Sequence, residues 1–266
     1  MPGKIASERE VILFPDKTSL SHDAAHRFVS LAAQKLAQGR NFHVALAGGS
    51  TPALLYGLLA AAPYYHAVAD WSRIHFFFGD ERCVPPDSPD SNYRMAHETL
   101  SSISEQHEEP SRQTKGIGTL TRMPADLPDH EEAAQQYEET LRRHFHLQAD
   151  ELPRFDLILL GMGPDGHCAS LFPHKPALQE KERLVVATEP GLKPFVPRLT
   201  LTHPVLNNAA NVLFLVAGED KAETLSRVLD GPPDPDGLPS QSVLPSHGSV
   251  TWLVDRAAAS RLSPER

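Results

Sequence analysis

Four times along this chain an apolar run of strand length stops abruptly at glycine or charge: "FHVALAGGSTP" from residue 42, "RIHFFFGDER" from 73, "FDLILLGMGPDGH" from 155 and "NVLFLVAGEDK" from 211. Runs that are apolar throughout, rather than alternating, belong to strands covered on both faces, which in practice means a parallel sheet between helices. The intervening stretches read as those helices. "SLSHDAAHRFVSLAAQKLAQG" has Ser or Asp to cap it and Gly39 to stop it; "STPALLYGLLA" carries Pro52 in its first turn. "SNYRMAHETL" and "EDKAETLSRVL" are shorter helices, and "HEEAAQQYEETLRRHF" runs from acid to base as the helix dipole favours. Further strands are expected at "VILF", "RLVVAT", "RLTLT" and "VTWLVD". The pattern predicts an α/β fold with a mostly parallel central sheet. With no repeat and no Gly/Ser linker, residues 1–266 are expected to form one domain.

In open sheets of this kind ligands bind beyond the carboxyl ends of the strands, where the four glycine-rich or polar loops fall. In "AGGSTP", Gly48 and Gly49 allow close backbone approach, and the helix start at Ser50 and Thr51 offers N–H and hydroxyl donors to an anion. A plain tight turn with Thr51 as N-cap reads equally well. In "GDERCVPP", Arg82 has the fork for a phosphate and Asp80 can order sugar hydroxyls; a surface ion pair is the bland alternative. Asn92 and Arg94, in "SNYR", are possible supports.

The turn "GMGPDGHCASLFP" carries the most weight. His167 is bracketed by Gly166 and a polar turn, with Gly163 as a supporting loop residue, at the end of a buried strand, where a pocket is expected. A histidine there can serve as general base on water. Asp165 either orients the loop or the imidazole, or is a turn residue. Cys168 is adjacent but, on a turn, is expected to point elsewhere. Lys221, in the first turn after "AGEDK", is adverse to the helix dipole unless an anion lies beside it. Arg198, in "VPRLTLT", is a further cation beside the sheet.

Other classes are disfavoured. A net charge of −9 opposes general nucleic-acid binding, while leaving room for an anionic small molecule held by a few local cations. Two cysteines far apart, in no CxxC pattern, point to a reducing compartment and to neither a disulfide frame nor a zinc cluster. No signal-peptide core and no membrane-length apolar run is present, so a cytoplasmic protein is expected. There is no Walker loop, GxGxxG fingerprint or GxSxG elbow, and the "HDAAH" pair lacks the glutamate of HExxH. No cofactor and no metal are expected. The sequence is silent on oligomeric state, with a monomer as the working expectation. Residues 105–128 give no reading of their own, while "DGPPDPDGLPSQSVLP", which fills most of 231–247, reads as a loop with too many prolines for regular structure.

Taken together, "LAGGSTP", "FFFGDERCVP", "SNY", "LILLGMGPDGHCASLFP", "RLTLT", "GEDKA", "LPSQSV" and "WLVD" resemble the 6-phosphogluconolactonase family, in order and over nearly the whole chain. The resemblance implies a Rossmann-like three-layer α/β/α sandwich. It implies hydrolysis of 6-phospho-D-glucono-1,5-lactone to 6-phospho-D-gluconate in the oxidative pentose phosphate pathway, with that small phosphorylated lactone as the partner. His167 would be the catalytic base, Arg82 and Lys221 would hold the phosphate, and Gly48, Gly49, Ser50, Thr51, Asp80 and Arg198 would line the site. One departure is Cys168, where threonine is common. The related glucosamine-6-phosphate deaminases share the glycine loops but use a glutamate shortly after the histidine, which "HCASLFP" lacks, and Asp-Glu-Tyr in place of "DER". A non-catalytic sugar-phosphate sensor would be expected to carry a DNA-binding helix-turn-helix, for which an acidic chain opening on a strand leaves no room.

Overall fold

The computed structural model describes residues 9–101, 103 and 116–263. Strand β1 (Arg9–Phe14) leads into helix α1 (Lys17–Ala37), whose first turn is capped by Asp16 accepting the Ser19 N–H at 2.7 Å. Its buried positions Leu20, Ala24, Phe28 and Ala32 recur every four residues, the stripe of a helix laid on a sheet. Then follow β2 (Phe42–Leu46), α2 (Ser50–Leu59), α3 (Tyr64–Ala67), β3 (Ile74–Phe78), β4 (Asp80–Arg82) and α4 (Asn92–Leu100). A two-residue strand β5 (Thr119–Leu120) precedes α5 (His130–Phe145) and β6 (Leu157–Leu160). The chain ends with β7 (Val185–Thr188), β8 (Arg198–Leu201), α6 (His203–Leu206), β9 (Asn211–Val216), α7 (Ala222–Leu229) and β10 (Ser249–Asp255).

Seven strands form one parallel sheet in the order β1-β10-β9-β6-β2-β3-β5. Its two faces can be read from neighbouring residues of β3, whose side chains must point oppositely. Phe76 stacks on Phe28 of α1 at 6.2 Å, whereas Phe77 meets Phe145 of α5 at 5.7 Å. The helices therefore cover both faces and make the expected three layers. After β2 the chain moves outward through β3 and β5, then crosses back to lay β6 on the other side of β2. This reversal opens a crevice beyond the carboxyl ends of β2 and β6.

Where strands end, their last peptide groups lose ladder partners, and two tyrosine hydroxyls replace them. Tyr56 accepts from Ala47 N at 3.0 Å and donates to Ala47 O at 2.8 Å; Tyr137 does the same for Phe78, at 2.9 and 3.2 Å. Such buried groups need partners, and these two fix the exits of β2 and β3.

The sequence reads "GDER" as a loop and foresees no second sheet. In the structure Asp80–Arg82 is a strand of a separate antiparallel sheet, β4-β8-β7. Gly79 is the joint: its N–H stays with Leu46 O of the parallel sheet at 2.9 Å, and its carbonyl accepts Leu201 N at 2.8 Å. β5 is likewise an element within a stretch that gave no reading; residues 105–115 of that stretch lie outside the described residues.

Candidate active site

A cavity of about 260 Å³ occupies the crevice. Its walls are Ala47, Gly48 and Gly49 after β2, Asp80 and Arg82 of β4, Asn92 of α4, Gly161–Pro164, His167 and Ala169 after β6, and Lys221 before α7. Of the residues singled out from sequence, it thus gathers Gly48, Gly49, Asp80, Arg82, Asn92, Gly163, His167 and Lys221. Ser50, Thr51, Asp165, Gly166 and Arg198 are not among the residues that line it. A larger, more open depression of about 590 Å³ lies between the start of α5 and β7, but among the described residues it is lined by Asp129, Glu131 and Glu189 with no lysine or arginine. It would repel an anion.

The histidine turn is held at every step. Gly163 N donates to His167 O at 2.8 Å, and Gly166 N to Gly163 O at 3.0 Å. Thr224 Oγ1 of α7 donates to Pro164 O at 2.5 Å, and Ser240 donates through both N (3.0 Å) and Oγ (2.7 Å) to Gly166 O. Ser240 belongs to the proline-rich segment, which therefore buttresses the turn from behind. Gly163 is required by close approach, because a Cβ there would overlap the His167 ring.

Asp165 lies behind the imidazole. Its Oδ1 sits 2.6 Å from His167 Nδ1 and accepts the backbone N–H at 3.3 Å. Burial works to raise the Asp165 pKa, but the hydrogen bond and charge of His167 outweigh it and hold the carboxyl below its usual range. An ionised Asp165 accepts Nδ1–H, which leaves Nε2 with the lone pair and no protein partner among the described residues. Phe172 packs against the ring at 4.6 Å. Cys168, by contrast, is fully buried, and burial pushes its thiol up to about 12, so it is no nucleophile.

On β4, side chains alternate. Arg82 donates through Nη1 to Asn92 Oδ1 at 2.7 Å and to Asp90 O at 2.9 Å, leaving Nε and Nη2 without a protein partner among the described residues. Asn92 Nδ2 donates to Asp80 O at 2.9 Å, and a Cβ on Gly48 would overlap the Asn92 amide. Asp80 is buried, and its Oδ2 accepts Ser170 Oγ at 2.6 Å. That bond ties β4 to the histidine turn. Sequence reasoning overlooked Ser170, although it lies inside the quoted "HCASLFP".

Lys221 closes the ring of charges. It caps α7 at the end of a short 3-10 turn, one-fifth exposed, with only the outward-lying Asp220 at 3.0 Å as ion partner among the described residues. Helix α2 begins at Ser50 with Gly49 as N-cap and no side-chain cap; Thr51 does not perform that role. Ser50 Oγ accepts from Lys17 Nζ at 3.4 Å. Arg198 is spent elsewhere: at 3% exposure its guanidinium donates to the carbonyls of Val196, Pro194, Pro197 and Leu192, at 2.6 to 3.4 Å. Among the described residues no three His, Cys, Asp or Glu side chains converge as a metal site, and no helix is long and apolar enough to cross a membrane.

Residues 15–252 match the family model described as glucosamine-6-phosphate isomerases/6-phosphogluconolactonase. The chain is 37% identical to a 6-phosphogluconolactonase of Nostoc sp. over 256 residues, covering 96% of this chain and 99% of that one. It is 38% identical to the Bos taurus 6-phosphogluconolactonase, covering 96% and 94%. Among solved structures, the 6-phosphogluconolactonase of Trypanosoma brucei superposes with a TM-score of 0.82 at 27% identity, covering 97% of this chain and all of the other.

Proposed function

We propose how this chain, which belongs to the glucosamine-6-phosphate isomerase/6-phosphogluconolactonase family and is an enzyme with 6-phosphogluconolactonase activity in the pentose phosphate pathway, carries out its reaction: His167 acts as general base on water at C1 of 6-phospho-D-glucono-1,5-lactone. The observation that carries this reading is the Asp165–His167 pair, its Nε2 unengaged among the described residues, in the same cavity as Arg82 and Lys221.

Asp165 holds the imidazole in the tautomer whose Nε2 can take a proton. Nε2 removes a proton from water as the oxygen attacks C1, the carbonyl oxygen becomes an oxyanion, and backbone amides of the glycine loops are the donors suited to meet it. The tetrahedral centre collapses by breaking the bond from C1 to the ring oxygen, which receives the proton from the imidazolium. The product is 6-phosphogluconate, and its new carboxylic acid releases a proton to solvent. A lactone is already an activated ester, so this route needs neither a metal nor a covalent intermediate.

The phosphate is far from the scissile bond along the sugar. Arg82, with Nε and Nη2 unengaged among the described residues, and Lys221 are suited to grip it, so that remote binding energy positions C1 over His167. The deaminase chemistry of the wider family calls for more carboxylates. Among the described residues Asp80 is the one carboxylate that lines the cavity, and it accepts a hydrogen bond from Ser170. Cys83 and Cys168, both free thiols, fit a reducing cytoplasmic setting.

The test generates the lactone in situ from glucose-6-phosphate with its dehydrogenase and follows lactone loss against the spontaneous rate. Faster loss with wild type and near-spontaneous loss with His167→Ala is the expected result. Full activity in that variant overturns the base assignment, and ammonia release from glucosamine-6-phosphate overturns the reaction.

A further inference from the structure

Arg82 enters the cavity from a strand of only three residues, and a guanidinium on so many torsions is aimed only if something holds it. Asn92 holds it directly, at 2.7 Å. What fixes Asn92 lies one layer further back. Glu81 alternates with Asp80 and Arg82 on β4, does not line the cavity, and is only 3% exposed. Its Oε1 accepts the N–H groups of Asn92 and Arg82, both at 2.8 Å. Its Oε2 accepts Tyr93 N at 2.7 Å and Ser91 Oγ at 3.1 Å.

Two of those donors are the first amides of α4, which a helix leaves without partners of their own. A carboxylate there also lies at the positive end of the helix dipole. The third amide belongs to Arg82 itself. One buried anion therefore joins the strand that carries the arginine to the helix turn that carries its aiming amide. Burial raises the Glu81 pKa, and the amide bonds work against that rise.

We propose that Glu81 is a positioning residue for substrate phosphate: it locks the start of α4 to β4, so that Asn92 presents the Arg82 guanidinium to the cavity in one orientation. The inference rests on Arg82 being the phosphate ligand. Glutamine is the sharp substitution, because it keeps the shape of Glu81 but turns an NH2 donor toward a group of donors.

The readout is a preference ratio: kcat/KM for 6-phosphogluconolactone divided by kcat/KM for unphosphorylated glucono-1,5-lactone. Glu81→Gln is expected to lower this ratio about tenfold, as for loss of a well-placed charged hydrogen bond. The change should lie in KM, with kcat on the phosphorylated lactone within about threefold of wild type. Arg82→Ala should lower the ratio further, and adding Glu81→Gln to it should change nothing more. Equal loss on both lactones marks Glu81 as merely structural and overturns the proposal. An unchanged ratio in Glu81→Gln alongside a collapsed ratio in Arg82→Ala overturns it too, while sparing the phosphate reading. An unchanged ratio in Arg82→Ala sinks the phosphate reading itself. Should Glu81→Gln fail to melt cooperatively, Glu81→Asp, one methylene too short to reach the amides, is judged by the same ratio.

Discussion

The carboxylate of Asp165 meets Nδ1 of His167 at 2.6 Å although the two residues are separated by a single glycine. So local a pair is possible because Gly166, at φ 87°, reverses the chain between them. Orientation of the imidazole is thus settled within the turn and needs no partner from another element.

Asp165→Asn removes the acceptor charge but keeps the size. It should lower kcat by about one to two decades, with KM close to wild type, as the imidazole loses its fixed tautomer. His167→Ala should cost about two to four decades in kcat. Initial rates of lactone depletion, corrected for spontaneous hydrolysis, measure both; a kcat for Asp165→Asn equal to wild type would show that the aspartate only shapes the turn.

Arg82→Ala and Lys221→Ala should act on the phosphate end. Each removes a charged donor worth about 1.5–3 kcal/mol, so KM for the phosphorylated lactone should rise roughly ten- to a hundredfold. Hydrolysis of unphosphorylated glucono-1,5-lactone should be unaffected. A rise in KM shared by both lactones would contradict the assignment.

Gly163→Ala places a methyl where the His167 ring stands. Overpacking of this kind costs about 1–3 kcal/mol, so the melting temperature should fall and kcat with it, because the ring must swing off Asp165. A variant that melts and turns over like wild type would mean that the turn has slack the hydrogen bonds do not suggest.

Acid should destabilise the fold through a histidine cluster at the amino end of the sheet. The rings of His43, His75 and His144 lie within 5.3 Å of one another, against Phe77 and Phe145. Burial, then the neighbouring histidines, push His144 down to about 4; burial and His43 also lower His75. A group with a depressed folded pKa binds protons more readily when unfolded. Its contribution is therefore complete above about pH 6.5 and is lost as the pH falls toward 4. Urea midpoints measured from pH 7.5 to 4.5 should decline over that span, and His144→Phe should flatten the decline.

Much of this was legible because strand and loop chemistry is local. "LILLGMGPDGH" announces a buried strand, its end and a histidine on a constrained turn, and the structure puts that histidine in a cavity beside Arg82 and Lys221. What escaped notice depends on distant pairing. β4 exists because Asp80–Arg82 finds β8 more than a hundred residues later, and three residues carry no period by which to see it. The same pairing explains Arg198: it lies opposite Arg82 in the register, yet its two terminal nitrogens donate to four carbonyls of the 192–197 loop. Ser170 and Glu81 were overlooked for a related reason. Their roles are hydrogen bonds to residues remote from the histidine motif or hidden behind it.

The histidine turn hangs from the large sheet and the arginine arm from the small one, with Gly79 as the joint and the Asp80–Ser170 bond as the rivet across the gap. The span between them is consequently a dimension of the framework, as the opening of a caliper belongs to its frame. Swapping side chains inside the gap changes how firmly a guest is gripped. Admitting a longer or shorter sugar requires one sheet to slide against the other.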